Sequence, residues 1–182
     1  MFSKMLIDIK GYPISNLQKT MVQSAVSHAL DYLVSKRMKS TLEICITIEK
    51  DLYQERLIWG DMTVEDDNCR SPKLYEIRLS YSGVQSFGQL IKVLCHETVH
   101  VAQFATRRMR HLSASYGVRF GREEYSSDVI QYDDRPWEIE ALALEDEIFA
   151  YVREKDETIE NYIQAKSCDS WQPVSNFLAS EL

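Results

Sequence analysis

Apolar residues recur at helical spacing over about residues 15–37. Leu17, Met21, Val22, Ala25, Val26, Ala29, Leu30 and Leu33 form one stripe, and Ser15 followed three positions later by Gln18 carries the signature of a capping box. Lys36, Arg37 and Lys39 suit the negative end of the helix dipole, so the helix is expected to run to about Arg37. Segment 5–13 reads as a short strand ended by Gly11 and Pro13, and segments 42–50, 57–66 and 74–81 are partly alternating, rich in Ile, Tyr and Thr, and separated by Asp, Asn, Ser and Pro. These predict a small, mostly antiparallel sheet. Over about 87–108 the apolar positions Leu90, Ile91, Val93, Leu94, Val99, Val101 and Phe104 occupy most of a helix circumference, which predicts a central buried helix. Residues 111–135 form a long excursion containing a hairpin-like stretch at 116–125, and loops of this length tend to be functional. A further helix is expected from about 134–136, where acidic residues and Pro136 are start signals, to about Glu154. Residues 156–165 add a turn or two before a weakly patterned tail. The predicted class is α+β: one domain over 1–155, with 156–182 a C-terminal helical extension or tail of the same unit.

Composition narrows the partners. Lys and Arg total 21 against 28 Asp and Glu, for a net charge of −7, which repels a phosphate backbone, so no direct nucleic-acid ligand is expected. No run approaches the roughly 18 apolar residues of a membrane span, and the first residues lack a signal-peptide pattern, so no membrane partner and a cytoplasmic location are expected. The four cysteines, Cys45, Cys69, Cys95 and Cys168, contain no CxxC pair and predict neither a disulfide scaffold nor a cysteine-based metal site. Oligomeric state leaves no signature.

The candidate chemistry lies inside the buried helix, in the run His96-Glu97-Thr98-Val99-His100. Positions i and i+4 stack on one helix face, so His96 and His100 can present two imidazole nitrogens to one tetrahedral Zn²⁺. Glu97 beside them can take a proton from an attacking water and return it to a leaving amine. Two imidazoles and a carboxylate buried without partners would cost several kcal/mol, and a metal ion supplies the partner. A catalytic zinc needs a third protein ligand and an open position. Gln103 and Thr106 stand where the HExxHxxGxxH continuation of metzincins requires Gly and His, which excludes that family. His111, Glu138 and Glu140 remain as candidates.

HETVH on one helix and Glu138-Ile139-Glu140-Ala141 on the next resemble the HExxH and E-x-x-A pair of gluzincin metallopeptidases. Over about residues 14–154 the element order resembles the minimal zincin core of minigluzincins, more loosely that of SprT-like proteases, and the chain also resembles small phage-encoded HExxH proteins. The resemblance implies one Zn²⁺ per chain held by His96, His100 and Glu138, with Glu97 as general base and a protein or peptide substrate. It further implies that strand 74–81 is the edge strand that binds substrate, and that an oxyanion-stabilising residue lies among Tyr125, Tyr132, Arg135 and His111. Many gluzincins carry Asp or Asn four residues after the ligand Glu to orient a zinc-bound His. Leu142 stands there, leaving Glu140, Glu145 and Asp146 for that role. Two alternatives stay open: a SprT-like protease with His111 as third ligand, and a non-catalytic, zinc-stabilised protein-binding module.

Overall fold

A computed structural model of the chain describes residues 5–50, 52–53, 58–67, 71–112, 117–126 and 129–166. The tail at 167–182 lies outside them, as do Cys69 and Cys168. Alternation in segment 42–50 becomes strand β2 (Glu43–Glu49), with Ile44, Ile46 and Ile48 buried, and in 74–81 strand β4 (Leu74–Ser80), with Tyr75, Ile77 and Leu79 buried. With β1 (Leu6–Gly11) and β3 (Gly60–Val64) they form one sheet in the order β1-β2-β4-β3.

The fold is α+β, as the pattern predicts, but the main sheet is mixed rather than mostly antiparallel. β1 pairs with β2 and β2 with β4 in parallel, and β3 alone runs antiparallel to β4. Helix α1 (Asn16–Leu33) is the reason for the first parallel pair, since it crosses over between β1 and β2. Alternation reveals which side chains face inward and says nothing about strand direction. This order also places β4 in the sheet interior, and the edge role expected for 74–81 passes to β3.

α1 starts on the predicted capping box: the Ser15 hydroxyl accepts from the Gln18 amide, and the Gln18 side chain accepts from the Ser15 N–H. It stops at Leu33 rather than near Arg37, because Val34 is extended and Ser35 caps a new single turn, α2 (Lys36–Lys39). Met21, Val22, Ala25, Val26, Ala29 and Leu30 from α1 meet the inward sheet face.

Helix α3 (Phe87–Ala105) is capped by Ser86, whose hydroxyl accepts from the Gln89 N–H, and every residue from Val93 to Ala105 is buried. It ends before Arg108 because Arg107 takes a left-handed φ of 62° and turns the chain into β5 (Met109–Leu112). β5 pairs antiparallel with β6 (Gly117–Phe120), and β6 with β7 (Glu123–Ser126), a hairpin whose turn uses Gly121 at φ 62°. The hairpin expected at 116–125 is thus present, with β5 an added strand. Helix α4 (Pro136–Lys155) begins on Pro136 and packs across α3 through Trp137, Glu138 and Ala141. Phe120 and Tyr125 of the small sheet hold Trp137 with ring centroids 6.3 and 5.8 Å away. Helix α5 (Glu157–Lys166) is capped by Asp156, which accepts from the Thr158 and Ile159 amides, and its Tyr162 packs on Phe87. No helix among the described residues is long and apolar enough to cross a membrane.

Candidate metal centre

One helical turn separates His96 from His100, so both rings project from the same face of α3, their centroids 5.0 Å apart. α4 crosses this face with its first turn, and Pro136 at the helix start sets Glu138 directly opposite the two rings. The Glu138 Oε2 atom lies 3.3 Å from Nε2 of His96 and 3.3 Å from Nε2 of His100. Among the described residues these three side chains, all buried, form a group that can hold a metal ion, one ligand atom each and all within 4.8 Å of one another. Metal–ligand bonds of about 2.0–2.1 Å in tetrahedral arrangement place neighbouring ligand atoms roughly 3.3–3.4 Å apart. The observed separations match that edge length.

The donor chemistry fits as well. Nδ1 of His96 lies 3.1 Å from a carboxylate oxygen of Glu145, and Nδ1 of His100 lies 2.8 Å from Oε1 of Gln103. Each of these oxygens accepts, so each Nδ1 carries its hydrogen and each Nε2 turns a lone pair toward Glu138. Two lone pairs and a carboxylate oxygen converging in a buried site require a cation, either a proton or a metal ion.

The electrostatics show the same demand. Burial works against ionising Glu138, but hydrogen bonds with His100 and His96, joined by Tyr132, outweigh it and hold this carboxyl far below the usual carboxylate range. Burial also opposes charge on His100, yet Glu138 and Glu97 reverse the balance and raise its pKa. Glu97, by contrast, is pushed up to about 7 by burial, with the neighbouring His100 and His96 pulling the other way.

Glu97 has room because of a glycine. A Cβ at Gly60 on β3 would stand 2.8 Å from Cγ1 of Val93, 3.1 Å from Oε1 of Glu97 and 3.2 Å from the Arg78 carbonyl oxygen. The backbone carbonyl cannot give way easily. Gly60→Ala should therefore lift β3 away from α3 at a cost of about 1–3 kcal/mol, read as a lowered denaturant midpoint with metal content unchanged. An unaltered midpoint would show that this close approach is not needed.

The group lies in a cleft of about 690 Å³. Its floor is α3 (Val93, Glu97, Phe104), one wall is the edge strand β3 (Gly60, Asp61, Met62), and the other is α4 with Trp137 and Leu142. Trp59 and Leu142, each 49% exposed, stand at its mouth.

The remaining predicted residues separate into distinct places. His111 sits on β5; it lines the same cleft, bonds Asp67 through Nδ1 at 3.0 Å and meets the Phe104 ring edge to face, outside the three-residue group. Glu140 faces away, accepting from Gln103 at 2.9 Å and from Arg108 at 2.5 Å. Tyr132, on a short 3-10 turn before α4, donates its hydroxyl to Glu138 Oε2 at 2.8 Å. Arg135 lays its guanidinium over the Tyr132 ring, and Tyr125 is a packing partner of Trp137. Of the three carboxylates left open for orienting a histidine, Glu145 takes the role, while Asp146 pairs with Lys92.

Gln103 is the site residue that sequence reasoning missed. Its signal was available: it follows His100 by three positions and therefore shares its helix face. Comparison with protein-family models, with curated proteins and with solved structures finds no match to this chain.

Proposed function

We propose that the chain is a zinc-dependent metallopeptidase in which His96, His100 and Glu138 hold the ion and Glu97 moves the proton during peptide-bond hydrolysis. The observation that carries this reading is the placement of Glu97. A metal that only braces a fold has no use for a buried carboxylate beside it, whereas Glu97 sits at the floor of an open cleft next to three converging ligands. In the metal-free chain burial pushes its carboxyl up to about 7, so the cleft floor carries a carboxyl able to take up and release a proton.

Zn²⁺ bound at this centre would supply a Lewis acid that polarises the scissile carbonyl and eases deprotonation of water. Glu97 takes the proton from the attacking water and delivers it to the leaving amine. Tyr132 fixes Glu138 through its hydroxyl, so that the carboxylate keeps its orientation. Among the described residues β3 pairs with β4 at the edge of the sheet and borders the cleft, where an extended peptide could lie along it.

The reading is tested by incubating the zinc-loaded protein with a proteome-derived peptide library in ¹⁸O-water and finding new C-termini by mass spectrometry. Hydrolysis is expected to place the label at discrete internal bonds. A library left intact by protein that verifiably carries zinc would sink the peptidase reading and leave a non-catalytic metal-stabilised module.

A further inference from the structure

Gln103 is 1% exposed, belongs to no ligand set, and yet touches both helices of the centre. Its side-chain nitrogen donates to the backbone carbonyl of Trp137 at 3.0 Å and to Oε2 of Glu140 at 2.9 Å. Both are acceptor-only atoms, so the amide can stand only one way round: nitrogen toward α4, oxygen toward His100. That oxygen lies 2.8 Å from Nδ1 of His100. Glu140 is in turn held by Arg108 at 2.5 Å, which keeps the second acceptor in place.

We propose that Gln103 is a positioning residue with two linked tasks: it locks His100 in the Nδ1–H tautomer, and it ties that ring to the helix turn that carries Glu138. The inference rests on the metal-centre reading. It goes beyond that reading because it assigns the alignment of two ligands from different helices to one buried amide. Trp137 immediately precedes Glu138, so the bond to its carbonyl fixes the backbone from which the third ligand projects. His100 needs such a device, since an Nε2–H tautomer would put a hydrogen where the lone pair must be.

The two histidines are locked by unlike partners. His96 faces the Glu145 carboxylate, a charged acceptor that reaches it from α4. His100 faces a neutral amide on its own helix, three residues on. A carboxylate at Gln103 would lie against Glu140 and lose both donor bonds, which accounts for an amide at this point.

The test uses the full chain with Zn²⁺ as the probe. Gln103→Met keeps the approximate shape and removes donor and acceptor together. It should weaken the zinc dissociation constant by about tenfold to a hundredfold, as loss of a ligand's hydrogen-bond partner generally does, and should move the Nδ1–H proton of His100 upfield in the NMR spectrum with faster solvent exchange. The double exchange Gln103→Glu with Glu140→Gln restores an acceptor toward His100 but leaves the Trp137 carbonyl without its donor. It should recover the Nδ1–H signature and only part of the affinity.

Wild type alone gives a reading that needs no variant to fold: both side-chain amide protons of Gln103 should be protected from solvent exchange in the zinc-loaded protein. Rapid exchange of those protons, or a Gln103→Met protein that binds zinc as tightly as wild type with an unchanged His100 spectrum, would overturn the assignment. Wild-type protein that takes up no zinc would instead overturn the metal-centre reading itself, a different and distinguishable result.

Discussion

Glu138→Ala is expected to abolish stoichiometric zinc binding and with it the stabilisation that the metal gives the fold. Glu138 contributes the one anionic atom of the group, placed 3.3 Å from both histidine nitrogens. Without it, two neutral imidazoles are left to bind a dication in a buried site. A metal at a thousandfold excess over its dissociation constant stabilises by about 4.1 kcal/mol. At roughly 2–4 °C per kcal/mol for a chain of this size, saturating zinc should raise the wild-type melting temperature by about 8–16 °C. The variant should show no rise, and an equal rise in both proteins would refute the ligand assignment.

The metal-free wild type carries a second expectation, in its pH dependence. Glu97 and His100 both hold a proton more tightly in the folded chain than in the unfolded one, Glu97 through burial and His100 through Glu138 and Glu97. Folding of the metal-free protein therefore takes up protons, and its stability falls as pH rises through neutrality. A metal ion competes with the proton for Nε2 of His100, so the zinc-dependent gain in melting temperature should grow over the same range. Parallel melting curves with and without zinc from pH 6 to pH 8 measure both trends.

How much of this was legible in the sequence depends on the range of the interaction. The capping box at Ser15 and Gln18, the buried face of α3 and the His96/His100 pair are local patterns, set by helix periodicity and unaffected by distant packing. Glu138 was reached only through resemblance, because the sequence offers His111, Glu138 and Glu140 alike, and the way α4 crosses α3 decides among them. The β2 and β4 alternations gave the inward faces correctly, but the interior place of β4 depends on how the chain returns to the sheet after β3, which no local pattern records. β5 was hidden because it is only four residues long and its middle two, Arg110 and His111, are exposed, which leaves no run of alternation to read. Glu145 follows Glu138 by two helical turns, a spacing that keeps both on one face of α4, yet only the docked helices show that it reaches His96 while Asp146 turns to Lys92.

Glu97→Gln should separate binding from chemistry. The substitution keeps size and shape and removes the ionisable group, so the histidines and Glu138 stay as they are and zinc content should equal that of wild type. Loss of a general acid–base residue typically lowers rates by about 10²–10⁴-fold, or roughly 3–5.5 kcal/mol in the barrier, and kcat on any peptide the wild type cleaves should drop by that factor. Folding stability should move the other way. Burial disfavours the charged form of Glu97, which ionises at about pH 7, so at alkaline pH the wild type carries a buried anion that the neutral amide does not. Metal-free Glu97→Gln should therefore match or exceed metal-free wild type in melting temperature at pH 8. A variant that is as active as wild type would remove Glu97 from the reaction. One that loses zinc along with activity would make Glu97 part of the ion's support instead, and the argument from a buried carboxylate with no structural duty would fail with it.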